Sequence, residues 1–301
     1  MADGSGESAN TAGAARGTLF VVATPIGNMG DITLRAIDVL RTVPLVAAED
    51  TRMTRRIWAR HGIDTPLVSY HARNSARREP ELLEHLASGR DLALVTDAGT
   101  PLVSDPGEGI VASWAATGGR VVPIPGPSAV LAALVASGIA GPRWAFEGFL
   151  PRSGRERRER IERIAADERA TVLFEAPGRV VATLRDLVAA CGDQRPAAVC
   201  RELTKIHEDV RRGTLGELFV RASGDPPRGE VALVVAGRRA GDPGPAGHAV
   251  EVVPLARARE RVEHLARDGM ARSAAARLVA QETGLPRREL FRPDPERQPA
   301  R

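Results

Sequence analysis

The sequence predicts an α/β protein of two domains with a small helical module behind them. Three observations carry this. Short apolar runs rich in branched residues alternate with stretches of helical length along most of the 301 residues. Several of these runs end in Gly/Pro loops that open onto a helix, as where Leu92-Ala-Leu-Val95 meets Thr96-Asp-Ala-Gly-Thr-Pro101 and then Asp105-Pro-Gly107. The length exceeds one ordinary core, and Pro125-Gly-Pro127 stands between two halves of different content. In an open α/β sheet, ligands bind outside the carboxyl ends of the strands, so the loop from Asp97 to Asp105 is the first candidate site. Its two carboxylates suit a cationic or hydroxyl-rich ligand better than a bare phosphate.

In chain order, Thr18–Ala23 is a strand broken by Thr24-Pro-Ile-Gly-Asn28, and Asp31 is placed to cap a helix from Ile32 to Leu40. Leu45–Ala48 is a strand that delivers Glu49-Asp-Thr-Arg52, four polar residues where packing alone would not require them. A helix at Met53–His61 leads to a strand near Leu67–Tyr70, which ends in His71-Ala-Arg-Asn74. Glu79–Ser88 is helical, Leu92–Val95 is a buried strand, and Glu108–Ala116 is helical. Arg120–Ile124 is a strand, and Ser128 caps the small-residue helix Ala129–Ala136, whose free N–H groups suit a carboxylate. The second half repeats the rhythm: strands at Trp144–Phe149, Thr171–Phe174, Ala197–Cys200 and Gly229–Ala236, and helices at Arg155–Ala166, Val180–Ala190 and Leu215–Ala222. Asp242–Gly247 is a linker by composition. Leu255–Arg267, Ser273–Glu282 and Arg287–Phe291 then form a module close to helix-turn-helix in shape. The expected divisions are a tail at 1–17, domains at 18–126 and 127–240, and the module at 250–292.

Composition narrows the classes. No apolar run approaches the roughly 18 residues that span a bilayer, and Met1–Arg16 lacks the apolar core of a signal peptide. Cys191 and Cys200 show no ligand spacing and read as packed thiols of a reducing, cytoplasmic compartment, with no metal site expected. The net charge of +4 is unevenly spread. Arg152, Arg155, Arg157 and Arg158 form one basic cluster, and the segment from Arg257 to Arg292, with Arg272 and Arg287, forms another. Such clusters suit a polyanion such as RNA, or are solvated helix faces laced with Glu–Arg pairs. Lys205 is the one lysine among 42 basic residues, and a compact ammonium kept in Arg201-Glu-Leu-Thr-Lys205 points to chemistry.

With these blocks in view, the chain resembles the ribosomal RNA small subunit methyltransferase I family of the tetrapyrrole methylase superfamily. The resemblance runs from Thr18 to Phe291. It rests on Ala23-Thr-Pro-Ile-Gly-Asn28, Asp31-Ile-Thr33, Ala47-Ala-Glu-Asp-Thr-Arg52, His71-Ala-Arg-Asn74, Asp97-Ala-Gly-Thr-Pro101, Ser104-Asp-Pro-Gly107, Pro125-Gly-Pro-Ser128, Glu147-Gly-Phe-Leu-Pro151, Arg201-Glu-Leu-Thr-Lys205 and Gly229-Glu230. It implies a homodimer of two-domain subunits with S-adenosylmethionine (SAM) in the interdomain cleft. The implied acceptor is the 2′-hydroxyl of a decoding-centre cytidine in the 16S rRNA of the small ribosomal subunit. The implied cofactor contacts are Asp97, Gly99, Thr100, Pro101, Leu102, Val103, Asp105, Pro127, Ser128, Ala129, Glu175, Ala176, Leu203, Val231 and Ala232. RNA contacts are expected from Arg152, Arg155, Arg157, Arg158, Arg201, Arg272 and Arg287. There is no GxGxxG fingerprint. Gly178 stands where relatives carry a His.

For the reaction, Glu49 or Asp50 is expected to orient the hydroxyl while Lys205 and Arg52 hold the adjacent phosphate; alternatively Lys205, its pKa lowered by burial, is the base. His71 is a third candidate. Competing readings are a tetrapyrrole C-methyltransferase, a nucleotide or sugar-phosphate enzyme, and a non-catalytic rRNA-binding assembly factor.

Overall fold

A computed structural model describes residues 16–139, 141–239, 255–283 and 287–291, apart from the side chains of 281–287. The first half builds an all-parallel sheet from β1 (Thr18–Val22), β2 (Val46–Ala48), β3 (Leu67–Ser69), β4 (Leu92–Val95) and β5 (Arg120–Ile124), in the order β3-β2-β4-β1-β5. Parallel strands need crossover helices and bury both faces. Here α1 (Leu34–Thr42) and α2 (Thr51–His61) cover one face, and α3 (Ser75–Ala87) and α4 (Glu108–Ala116) the other. The pleat is plain in β4, where Ala93 and Val95 pack with Leu40 and Trp58 while Leu92 and Leu94 pack with Leu86 and Trp114.

The second half builds a mixed sheet from β6 (Trp144–Phe149), β7 (Ala170–Glu175), β8 (Pro196–Arg201), β9 (Asp209–Thr214) and β10 (Val231–Val235), in the order β6-β7-β10-β8-β9. Only β6 and β7 run parallel. Helix α5 (Ala129–Ser137) covers one face. Helices α6 (Arg155–Ala166), α7 (Val180–Cys191) and α8 (Leu215–Gly224) cover the other. Ile26 and Val103, from loops of the first sheet, pack with α5 and the inner face of the second, so the two halves share a third apolar cluster. Cys191 and Cys200 are both buried free thiols.

Helices α9 (Leu255–Arg267), α10 (Arg272–Thr283) and α11 (Arg287–Phe291) close around Ala258, Val262, Ala275, Ala276, Val279 and Leu290. The tail up to residue 15, the whole of the linker Asp242–Gly247, and residues 250–254, 284–286 and 292 of the expected module lie outside the described residues. No described helix is long and apolar enough to cross a membrane.

Several boundaries differ from the sequence expectation. Strand β9 was not anticipated, because Asp209-Val-Arg-Arg-Gly-Thr214 has only one large apolar residue; it is an edge strand paired to β8 alone, where polar side chains are tolerated. The α1 cap is Thr33, whose hydroxyl accepts from the Ala36 N–H at 3.1 Å, while Asp31 sits in a short 3-10 turn capped by Asn28. Helix α2 starts at Thr51 because Asp50 caps it, and α3 starts at Ser75, running through Pro80.

Candidate active site

The loops leaving β1, β2, β4 and β5 all lie at the carboxyl edge of the parallel sheet, and they meet the α5 side of the second sheet. Between them is a cleft with a cavity volume of about 270 Å³. Of the expected cofactor contacts, Gly99, Thr100, Val103, Asp105, Ser128, Ala129, Leu203 and Ala232 line it. Pro101, Leu102 and Pro127 belong to the same loops but do not face the cavity. Leu102 packs against the first sheet, and the Pro127 carbonyl accepts from the Thr100 hydroxyl at 3.3 Å.

Three expected residues point the other way, for one reason. Successive strand residues face opposite sides of a sheet. On β7, Phe174 faces the cleft and Glu175 the α7 side, where its enclosed carboxylate accepts from Thr183 Oγ1 at 2.6 Å and pairs with Arg179 Nε at 2.9 Å. On β8, Cys200 faces the cleft, while Arg201 shares a depression with Asp209 and Arg211 near α8. At the start of β10, Glu230 and Ala232 face the cleft and Val231 packs into the outer core. Glu175, Arg201 and Val231 are therefore removed from the cleft. The exposed Ala176, just after β7, is not part of its lining. The residues missed there (Phe174, Cys200, Glu230) each differ from an expected one by a single position.

Two strained loops frame the cavity. Leu102, Ser104, Glu202 and Thr204 are the non-glycine residues with positive φ among those described, at 72°, 70°, 50° and 67°. Such backbone persists only where its surroundings over-determine it, and it gathers at functional sites. Thr24 and Gly99 exchange backbone hydrogen bonds that fix the β1 and β4 loops to each other, and across the two halves the Asn28 N–H donates to Thr204 Oγ1 at 3.1 Å. Gly27 lets the Lys205 stem pass, since a Cβ at Gly27 would lie 2.4 Å from Lys205 Cγ.

Of the acids Glu49, Asp97 and Asp105, Asp105 is the one that lines the cavity; Glu49 and the expected cofactor contact Asp97 sit beside it on the carboxyl edge of the first sheet, outside the lining. Glu49 Oε2 accepts from Thr96 Oγ1 at 2.7 Å, and Asp97 Oδ1 accepts from the Asp50 N–H at 2.9 Å. Burial raises the Asp97 pKa above the usual carboxylate range. Burial, reinforced by the Glu49 charge, pushes Asp105 up to about 6. Asp50 is occupied elsewhere: it caps α2, and its ion pair with Arg52 holds it down at about 2. Arg52 is fully engaged with that carboxylate at the surface. His71 holds a turn, its Nδ1 accepting from the Arg73 N–H at 3.2 Å.

Lys205 requires a correction. Its ammonium pairs with Glu202 Oε1 at 2.9 Å and Glu230 Oε2 at 3.2 Å. Burial pulls its pKa down, but the hydrogen bonds it donates to the two carboxylates outweigh it and the net shift is upward. The expected lowering of its pKa by burial is therefore not met, and the ammonium joins Glu202 to Glu230.

Comparison with known proteins decides the family. Residues 18–218 match the model of the Tetrapyrrole (Corrin/Porphyrin) Methylases. The chain is 45% identical over 275 residues to the ribosomal RNA small subunit methyltransferase I of Synechocystis sp., covering 91% of this chain and 96% of that protein. It is 41% identical to the Bacillus subtilis protein of the same name, covering 91% and 93%. The chain belongs to the ribosomal RNA small subunit methyltransferase I family. Its fold is shared with a cobalt precorrin-4 methyltransferase of cobalamin biosynthesis, at TM-score 0.56 and 15% identity over 73% of this chain and 94% of that one. It is shared too with a uroporphyrin-III C-methyltransferase of Thermus thermophilus complexed with S-adenosylhomocysteine, at TM-score 0.53 and 19% identity over 73% and 97%.

In this family member the basic residues separate into two groups. Arg152, Arg155 and Arg158 are exposed beside the cleft-lining end of β6. Arg157 is not: 7% exposed, it is held by Asp186 at 2.8 Å, Thr183 Oγ1 at 3.0 Å and the Pro151 carbonyl at 3.1 Å. Its expected RNA contact is withdrawn, because the guanidinium ties α6 to α7. Arg272 is half-buried, donating to the Phe291 carbonyl at 3.3 Å within the module. The side chain of Arg287 lies outside the described residues. At Gly178, a Cβ would meet nothing within 4 Å, so no packing demand explains the glycine.

Proposed function

We propose that the cleft binds SAM and that the protein methylates the 2′-hydroxyl of a cytidine ribose in the decoding centre of 16S rRNA. The carrying observation is a half-buried carboxyl among other carboxylates at the cleft: burial first, then the charges of Glu49 and Asp97, push Asp105 up to about 6. A sulfonium cation relieves that crowding; a phosphate would worsen it. Ala98–Thr100, Val103–Asp105, Ser128–Ala129, Leu203 and Ala232 would hold SAM. When bound, SAM supplies a methyl group already activated by the positive sulfur. The family relatives are named for methylation of small-subunit ribosomal RNA.

The chain's own residues then have two tasks. Alignment of the acceptor oxygen supplies much of the rate. The hydroxyl proton needs an acceptor, and the Asp105 carboxylate at the cleft, beside Glu49, is the group placed to take it. Lys205, fixed by Glu202 and Glu230 at the cleft rim, supplies the positive charge for the neighbouring phosphate. Two copies form the working homodimer, which sedimentation analysis tests.

The deciding experiment is transfer of labelled methyl from SAM to 30S subunits of a strain lacking this protein, followed by mapping of the modified nucleotide. A 2′-O-methylcytidine in the decoding centre is the expected product. SAM binding without transfer to subunits or free 16S rRNA would overturn the assignment in favour of a tetrapyrrole acceptor.

A further inference from the structure

The segment Glu147-Gly-Phe-Leu-Pro151 has so far no task. It ends β6, the edge strand of the second sheet, and the β6–β7 register breaks between Phe146 and Phe149. Irregularities of this kind re-aim a side chain, and they recur beside active sites. Here Gly148, at φ +61°, makes the bend, and a Cβ there would sit 3.3 Å from Ser104 Oγ in the strained cleft loop. Arg160 Nη1 secures it by donating to the Glu147 carbonyl at 3.2 Å. The outcome is that Phe149 lines the cleft yet stays 53% exposed, while its neighbour Leu150 is buried.

Its ring is held from behind. Phe149 lies 5.6 Å from Phe174 at 57°, and Phe174 lies 5.0 Å from Phe146, so three of the chain's six phenylalanines form one ladder from core to cleft mouth. A large apolar face left open to water by a braced backbone is unfavourable for the free protein. Its use is an apolar partner that arrives later. On the outward side the chain continues directly to Arg152, exposed and without an ion pair among the described residues, and then to Arg155 and Arg158 on the first turns of α6. An exposed ring flanked by exposed guanidiniums is the pattern that stacks an unstacked base and steadies its phosphates.

We propose that Phe149 is a positioning residue for RNA: its ring stacks on the base of the target nucleotide or its immediate neighbour, with Arg152 on the adjoining phosphate. This rests on the methylation of RNA proposed above. Phe174, the inner ring, is left to the cofactor side of the cleft.

The test is methyl transfer to 30S subunits by the full chain. Phe149→Ala is expected to raise KM for subunits roughly tenfold to a hundredfold, as loss of one stacked base does, with the Kd for SAM unchanged. Phe149→Trp restores KM, whereas Phe149→Leu, apolar but without a π face, does not. The indole added by Phe149→Trp is also expected to lose fluorescence when a single-stranded oligonucleotide of the target sequence is added, a readout that needs no truncated side chain. Unmoved KM, rescue by Leu equal to that by Trp, or a parallel loss of SAM affinity would each overturn the assignment. If the unmutated chain transfers no methyl to subunits, the RNA reading itself falls; if it does and KM is unmoved in Phe149→Ala, only the role of Phe149 falls.

Discussion

Burial, and then the Glu49 charge, penalise the ionised form of Asp105 and push its carboxyl up to about 6. The sign of the consequence follows from proton counting. Between about pH 4 and pH 6 the folded chain holds a proton that the unfolded chain has released, so stability is highest below this window and is lost as pH rises through it. Discounted for the partial exposure of the group, the loss is about 1 kcal/mol, or roughly 2–4 °C in Tm. Asp105→Asn should therefore raise the Tm of the ligand-free protein at pH 7.5 and leave it unchanged at pH 4. Thermal scans at the two pH values check this, and an equal effect at both would refute the assigned pKa. The same charge predicts that SAM affinity falls up to about tenfold per unit as pH drops below 6, while S-adenosylhomocysteine, lacking the sulfonium charge, follows a flatter curve. Titration calorimetry of the two ligands separates the outcomes, and parallel curves would show that Asp105 does not sense that charge.

Helix α6 shows how a side chain's task depends on the face it occupies. Arg155, Arg157 and Arg158 read alike as members of a basic run, but Arg157 shares its face with Ile161 and Ile164 at i+4 and i+7, both buried. That spacing was legible; the arginine masked it, because a charged residue on an apolar stripe is the exception. Arg157→Ala should cost about 2–4 kcal/mol by leaving Asp186 and Thr183 without their partner, with methyl transfer per folded molecule unchanged. Arg152→Ala should do the reverse, weakening RNA binding with no change in stability. Denaturant melts beside transfer assays decide, and a stability loss confined to Arg152→Ala would invert the argument. Pleat parity is the strand counterpart. The blocks around Glu175, Arg201 and Val231 did mark the cleft, but a shift of one residue turns every side chain to the opposite face. Strands, most helices and the loop from Asp97 to Asp105 were legible because periodicity and Gly/Pro breaks are local. The face, the ion pairs of Lys205 and the β9 edge were not, because each depends on a neighbour distant in sequence.

At the scale of the molecule, two separately cored sheets meet around a cleft, joined by the shared cluster that takes in Ile26 and Val103 and by the tie of the 24–28 loop to the 202–205 loop. The cleft's shape therefore depends on a contact that neither core needs. Gly27 is its tightest point. A Cβ there would lie 2.4 Å from Lys205 Cγ, 3.0 Å from its Cε and 3.1 Å from Thr204 Oγ1, so the loops must separate to admit it. Cγ belongs to the root of the side chain, which cannot swing aside as the ammonium can. Separation lengthens the Asn28–Thr204 hydrogen bond and draws Leu203 away from the cavity it lines. Gly27→Ala is thus expected to weaken SAM binding about tenfold, equivalent to about 1.4 kcal/mol, with Tm lowered by no more than a few degrees because both sheet cores stay intact. Gly178→Ala, placed where a Cβ meets nothing within 4 Å, serves as the neutral control. Calorimetric titration with SAM alongside thermal unfolding separates the outcomes. Full affinity in Gly27→Ala would mean that the cleft is shaped by the apolar cluster alone, and a large fall in Tm with it would mean that the loop contact belongs to the folding core.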